Sequence, residues 1–83
     1  MTNSTTYKSD RRLKTNIKHL EYSKHFQIPI YSFNYKNDLD TTYKGVIAQD
    51  LLEMNLNHAV IIDKDGYYKV LYELIDVDME TLT

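Results

Sequence analysis

The stretch Ala59-Val60-Ile61-Ile62-Asp63-Lys64-Asp65-Gly66-Tyr67-Tyr68-Lys69-Val70 decides the fold prediction for this chain of 83 residues. Two runs of β-branched and aromatic residues flank an Asp65-Gly66 pair, and Asp-Gly between such runs is typical of a tight hairpin turn. The stretch therefore predicts an antiparallel β-hairpin. A calcium-binding loop is the rival interpretation, but an EF-hand needs a bidentate acid six residues after its glycine, where this chain has Tyr72.

Upstream of the hairpin, the alternation of large and small side chains over residues 27–35 predicts a second strand. One of its faces would carry the aromatic residues Tyr31, Phe33 and Tyr35. Polar residues 37–42 are typical of a loop. After them, the spacing of Ile47, Leu51 and Met54 places these apolar side chains on one helical face, which predicts a helix within residues 46–54.

Two further segments have apolar residues at helical spacing. Near the N-terminus, Leu13, Ile17 and Leu20 predict a short helix that ends near Glu21. Near the C-terminus, residues 71–82 predict either a weak helix or an extended arm, because the poor helix formers of residues 76–78 interrupt the pattern. The apolar residues of this second segment, which we expect to form a subunit interface, are Leu71, Ile75, Met79 and Leu82.

Together these segments predict an α+β fold: a small domain with a short antiparallel sheet, including the hairpin around Asp65-Gly66, and two or three short helices. Residues 1–8 are predicted to be a leader or linker, and residues 9–83 the domain. The chain has no cysteine, which excludes disulfides, a thiolate nucleophile and Cys-ligated metal sites. Small domains without disulfide or metal cross-links often rely on oligomerisation for stability, so we expect this domain to be a subunit of an assembly.

The charge pattern restricts the partners. The net charge of −2 argues against a dedicated nucleic-acid binder, and no stretch reaches the ~18 apolar residues of a membrane span. Residues 1–25 carry six basic and two acidic residues, whereas the remainder carries four and ten. This asymmetry fits packing between oppositely charged subunits or, alternatively, a basic arm that binds nucleic acid or membrane. Because the three histidines lack metal-ligand spacing, no metal and no cofactor are predicted.

One short stretch could carry chemistry. In Ser9-Asp10-Arg11-Arg12-Leu13-Lys14, a hydroxyl and an amine are five residues apart. A serine hydroxyl becomes nucleophilic when a base removes its proton, and a lysine can be that base if burial or nearby cations lower its pKa. Arg11 and Arg12 could contribute to such a shift. Spacing alone is weak evidence, because any surface segment can offer Ser and Lys at this distance.

Four sequence motifs, taken in chain order, add to the evidence from this stretch. They are residues 9–17 around Ser9-Asp10-Arg11-Arg12-Leu13-Lys14, then Tyr31-Ser32-Phe33-Asn34-Tyr35, Gly45-Val46-Ile47-Ala48-Gln49-Asp50, and residues 63–70 of the hairpin. From residue 9 to about residue 75, the chain resembles the self-cleaving intramolecular chaperone domain of the endosialidase type. This family occurs at the C-terminal end of bacteriophage tail spikes and fibres, in other viral proteins, and in the membrane-bound myelin regulatory factor.

The resemblance implies a homotrimer that aligns three fibre chains and then cuts itself off as a serine peptidase with a Ser-Lys dyad. It implies Ser9 as nucleophile, Lys14 as general base, and the bond between Lys8 and Ser9 as the cleavage site. The partners would be two further copies of the chain and an N-terminally fused fibre or spike domain, with no nucleic acid and no membrane. The role of Asp10 stays open.

The same resemblance implies a virion fibre precursor made in the cytoplasm of the infected host cell, with the released chaperone soluble. Family members usually follow hundreds of fibre residues and continue into a longer C-terminal helix that forms a three-stranded bundle. Here eight residues precede Ser9 and the chain ends at Thr83, so we expect an excised domain. The alternative function is a non-cleaving structural trimerisation cap of the same fold.

Overall fold

The predicted hairpin is confirmed in the computed structural model, which describes residues 6–82. Strand β5 (Val60–Ile62) pairs antiparallel with β6 (Tyr68–Leu71), and Gly66 lies in the turn with a φ of +84°. A third strand, β1 (Thr6–Lys8), pairs with the other edge of β6 to give the sheet order β1-β6-β5. Strand β1 is the end of the predicted leader, whose residues 1–5 lie outside the described part of the chain.

A second antiparallel sheet has the strand order β2-β3-β4-β7. Its strands are β2 (Lys14–Tyr22), β3 (Pro29–Tyr35), β4 (Asp38–Gly45) and β7 (Glu80–Thr81). Strand β3 confirms the prediction for residues 27–35, whereas the predicted loop over 37–42 is wrong, because β4 begins directly after a turn at residues 36–37. The domain is therefore mostly β, with two sheets where the sequence analysis expected one.

Helix is scarcer than predicted. One α-helix, α1 (Ala48–Glu53), confirms the prediction within residues 46–54. The other helical elements of the described chain are single 3-10 turns: Arg11–Leu13, Asn57–Ala59 and Tyr72–Leu74. The expectation of two or three short helices is thus too high. Within residues 6–82, no helix has the length and apolar character needed to cross a membrane.

The predicted helix that ends near Glu21 is wrong, because these residues form β2. The β2–β3 pairing shifts register between Thr15 and Lys18, and Asn16 within this bulge has a φ of +54°. A bulge adds one residue and turns the following side chains to the opposite face. The spacing of apolar residues therefore imitates a helical period without making a buried stripe, and Leu20 is 43% exposed.

The C-terminal segment follows the extended alternative. Within this segment, the carboxylate of Asp76 accepts from the backbone N–H groups of His25 and Phe26, at 2.6 and 3.4 Å. These bonds tie the segment to the β2–β3 connection. The apolar residues expected to form a subunit interface do not share one face. Ile75 and Met79 pack against the core, whereas Leu82 is 49% exposed.

The core lies between α1, the hairpin and β3. Its buried apolar residues are Ile28, Ile30, Val46, Ala48, Leu51, Ala59, Val70, Tyr72 and Val77. Phe33 and Ile47 are also fully buried. The core meets the start of β2 and the end of β1 at a point where three polar residues are buried as well: Ser9, Asp10 and Lys14.

Gly66 provides a test of the hairpin turn. A Cβ at this position would touch nothing, but the φ of +84° is strained for any residue with a side chain. We expect Gly66→Val to lower the free energy of unfolding by about 1 kcal/mol or more. Urea denaturation measures the change, with Lys64→Val in the same exposed turn as control. Equal stability of the two variants would contradict the turn geometry.

Candidate active site

Ser9 follows β1 and is fully buried. Its backbone is held on both sides: the N–H donates to the carbonyl of Tyr68 at 3.1 Å, and its carbonyl accepts from the N–H of Ala48 at 2.8 Å. The first bond attaches Ser9 to the hairpin, and the second attaches it to the start of α1. The hairpin and α1 therefore fix the backbone of Ser9, and the fixed backbone positions its side chain.

Lys14 begins β2 and returns to Ser9 through the 3-10 turn Arg11–Leu13. The turn reverses the chain within the five residues that separate the two side chains in sequence. Lys14 Nζ lies 3.0 Å from Ser9 Oγ and donates to the carbonyl of Val46 at 2.7 Å. The structure thus brings the two predicted catalytic residues into direct hydrogen-bond contact.

The environment of Lys14 favours a neutral amine. The residue is 3% exposed, and in the described chain no carboxylate forms an ion pair with it. Burial lowers the pKa of Lys14 from 10.5 to about 7; Asp10 opposes this shift and Arg11 adds to it. The ring of Phe33 lies 3.7 Å from Nζ and fills the space beneath the amine.

From the sequence, both arginines could contribute to a lowered pKa of Lys14; in the structure their roles differ. Arg11 contributes less than burial does, while Arg12 is engaged in a hydrogen-bonded ion pair with Asp10, 2.8 Å from Nη2 to Oδ2. A pKa lowered to about 7 allows part of the Lys14 amines to be neutral near pH 7. A base with a pKa near neutrality combines a useful neutral fraction with adequate proton affinity.

Two further groups hold the Ser9 hydroxyl. It donates to the carbonyl of Val46 at 2.8 Å and lies 3.2 Å from the hydroxyl of Tyr72, which itself accepts from the N–H of Val46 at 3.0 Å. Gly45 makes room for this arrangement, since a Cβ there would lie 2.6 Å from the Tyr72 oxygen. The Gly45-Val46 motif therefore supplies both the acceptor and the space beside Ser9.

Asp10, whose role the sequence left open, is the structural anchor of the site. Its buried carboxylate accepts from the backbone N–H and guanidinium of Arg12, the amide of Gln49 and the backbone N–H of Tyr68, at 2.8–3.1 Å. The bonds from Arg12 hold the pKa of Asp10 well below its usual range, and those from Gln49 and Tyr68 act in the same direction. One carboxylate thereby joins three of the four sequence motifs.

The peptide bond between Lys8 and Ser9 is held on both sides. Its carbonyl oxygen accepts from the hydroxyl of Tyr35 at 2.5 Å, and its N–H is the one that donates to Tyr68. The Lys8 ammonium forms ion pairs with Asp65 and, at 3.6 Å, with Asp63 of the hairpin turn. The acidic turn thus binds the side chain that precedes the predicted cleavage site.

Sequence reasoning missed Tyr35, Tyr72 and the carbonyl of Val46 as parts of this site. Tyr35 and Val46 lie within motifs that the sequence analysis singled out, so a signal for them existed, but Tyr72 lies outside those motifs. Among residues 6–82, no group of three or more His, Asp or Glu side chains is placed to hold a metal ion. The chemistry that this geometry allows is general-base activation of Ser9 by the neutral amine of Lys14.

Comparison with known proteins identifies a family for this chain. Residues 9–61, more than half of the chain, match the model of the peptidase S74 family, described as chaperone of endosialidase. No curated protein and no solved structure matches the chain. The matched region begins at Ser9 and contains Lys14, Tyr35 and the Gly45-Val46 motif. The chain therefore belongs to the peptidase S74 family of endosialidase chaperone domains.

Proposed function

We propose that this domain is a C-terminal intramolecular chaperone that trimerises a viral tail fibre or tail spike and releases itself by autoproteolysis between Lys8 and Ser9. The observation that carries the proposal is the buried amine of Lys14, 3.0 Å from Ser9 Oγ. Family membership supports a chaperone with peptidase character. The precursor would be made in the host-cell cytoplasm and contribute to virion assembly.

The first step forms an ester. The neutral amine of Lys14 accepts the proton of Ser9 Oγ while a bond forms between Oγ and the carbonyl carbon of Lys8. The bond from that carbon to the Ser9 nitrogen then breaks, and Lys14 returns the proton to the departing nitrogen. Because nucleophile and carbonyl are neighbours in one chain, positioning requires no binding of an external substrate.

The second step consumes water. A water molecule adds to the ester carbonyl of Lys8, Lys14 accepts its proton, and the bond to Ser9 Oγ breaks with return of that proton. The products are a carboxylic acid on Lys8, which releases its proton to solvent and becomes a carboxylate, and a free α-amine on Ser9. The Ser9 hydroxyl and the Lys14 amine are regenerated, so the reaction needs no group beyond the chain and water.

Assembly as a homotrimer is the second part of the proposal. Several large apolar side chains remain exposed on the single chain, and covering them would stabilise an assembly. Those more than 40% exposed are Tyr7, Leu20, Tyr22, Phe26, Leu39, Ile61, Ile62, Leu74 and Leu82. The groups around Ser9 described above all come from one chain, so assembly would affect cleavage through the stability of the fold.

Mass spectrometry of the purified full-length chain tests self-cleavage. We expect a fragment that begins at Ser9, and its loss in Ser9→Ala and in Lys14→Met, which keeps much of the bulk of the lysine stem. Lys18→Met, an exposed lysine on the same strand, is the matched control and should cleave normally. Normal processing of Lys14→Met would remove the lysine from the mechanism. An intact wild-type chain that still assembles would favour the non-cleaving cap.

The pH dependence follows from the base. Because the deprotonated amine is the active form, the cleavage rate should rise about tenfold per pH unit below the pKa of Lys14, about 7, and level off above it. Quenched time points at pH 5.5–9, analysed by mass spectrometry, measure the profile. A rate that keeps rising to pH 9 would contradict a lysine with a pKa near 7.

Dilution tests the trimer. The stability of an assembly depends on protomer concentration, so light scattering should report a trimer that dissociates as the chain is diluted, with a parallel loss of folded signal. Leu74→Asp with Leu82→Asp, the exposed apolar residues of the C-terminal segment, should shift dissociation to higher concentration. Ile75 and Met79 are left unchanged because they pack against the core. A stable monomer at all concentrations would contradict the trimer.

A further inference from the structure

We infer that Tyr35 is a further catalytic residue, whose hydroxyl stabilises the negative charge that forms on the Lys8 carbonyl oxygen when Ser9 attacks. The inference rests on the proposed self-cleavage and adds to it the group that binds the oxyanion. Ser9 and Lys14 supply the nucleophile and the base, and the hydrogen bonds of their side chains go to each other and to Val46, not to the oxygen on which charge develops. The attacked carbonyl therefore requires a separate donor.

The hydroxyl of Tyr35 is already in contact with the reacting oxygen. It donates to the Lys8 carbonyl oxygen at 2.5 Å, at the short end of the range for O–H···O hydrogen bonds. The two residues are 27 apart in sequence and lie in different sheets. Tyr35 thus touches the one peptide group that the proposed reaction cleaves.

The phenol is held in place by packing. Its ring packs edge-to-face against Phe33 and Tyr43, with centroid distances of 5.4 and 5.2 Å. Its backbone lies directly opposite Lys14 in the β2–β3 ladder. One cross-strand residue pair therefore carries both the base and the oxyanion donor, and Phe33 contacts both of their side chains.

A preorganised donor in a buried site stabilises charge more effectively than water, because it does not have to reorient during the reaction. Burial raises the pKa of Tyr35 well above its usual value, and the neighbouring tyrosines act in the same direction. The phenol therefore keeps its proton over the pH range in which Lys14 loses its own. It donates a hydrogen bond and transfers no proton, so the balance of the reaction is unchanged.

The same donor would serve the second step. A cavity of about 330 Å³ lies beside Lys8 and Tyr35, and its other lining residues are Leu13, Lys36 and Asn37. Under this inference, the water that hydrolyses the ester on Lys8 enters from that cavity. Addition of water again places negative charge on the oxygen that Tyr35 contacts. The inference therefore predicts that Tyr35 accelerates both formation and hydrolysis of the ester.

Tyr35→Phe tests the inference, since it keeps the ring and removes the donor. Loss of one oxyanion donor typically slows a reaction about 10²- to 10³-fold, and we expect a loss of this size in the cleavage rate. The midpoint of the pH profile should remain at the pKa of Lys14, because the substitution leaves the base in place. Tyr43→Phe is the matched control, because its ring packs in the same cluster while its hydroxyl contacts Asp38, away from Ser9.

The outcomes separate the inference from the proposed function. Wild-type cleavage together with an equal rate in Tyr35→Phe overturns the inference and leaves the Ser-Lys mechanism standing. Equal losses in Tyr35→Phe and Tyr43→Phe would also overturn it, because packing would then explain the effect. A wild-type chain that never cleaves overturns the proposed function, and the role of Tyr35 with it.

A readout that needs no cleavage tests the contact itself. The Ser9→Ala substitution places an alanine directly after Lys8, and no other lysine of the chain precedes an alanine. Labelling with ¹³C-carbonyl lysine and ¹⁵N-alanine therefore gives a single carbonyl signal for Lys8. Adding Tyr35→Phe should move this signal upfield as the hydrogen bond is lost, and adding Tyr43→Phe should not. An unchanged signal in the Tyr35→Phe chain would overturn the inference whatever the activity.

Discussion

Burial of the Lys14 amine against the carbonyl of Val46 and the ring of Phe33 is the constraint on which the rest of the site depends. An ammonium group out of water and without a carboxylate partner is costly, so the folded state favours the neutral amine. The Ser9 hydroxyl lies beside that amine because Asp10 fixes the intervening turn. Under the proposed function, folding therefore creates the base, and an unfolded chain would carry an ordinary protonated lysine with no activity.

The architecture also links cleavage to assembly of the domain. The bond from Lys8 to Ser9 joins β1, an edge strand of one sheet, to the turn that leads into the other sheet. Its carbonyl is held by Tyr35 of the second sheet and its N–H by Tyr68 of the first. The site is complete when both sheets are formed and docked. Under the proposed function, a precursor whose chaperone domain has not yet folded would therefore not cleave.

The sequence predicted local features well and long-range ones poorly. The hairpin at Gly66 and strand β3 follow from turn chemistry and alternation, and α1 follows from its apolar face. Strand β2 was missed because the bulge at Asn16 gives its apolar residues a helical spacing. The C-terminal segment was ambiguous because the bonds that hold Asp76 come from a distant connection. In the site, Ser9 and Lys14 belong to one motif, so their pairing could be predicted from the chain together with the family resemblance. The contacts of Tyr35 and Tyr72 span 27 and 63 residues, and only the packing of the two sheets defines their partners.

Direct titration of the Lys14 amine tests the central claim of this account most directly. In a Ser9→Ala chain, which stays intact, the ¹³Cε signal of Lys14 can be assigned by its absence from the spectrum of the Ser9→Ala, Lys14→Met chain. We predict a titration midpoint near 7 for Lys14, well below the value of 10.5 that is ordinary for a lysine side chain. A midpoint for Lys14 near 10.5 would contradict it, because the amine beside Ser9 would then be protonated and unable to act as a base.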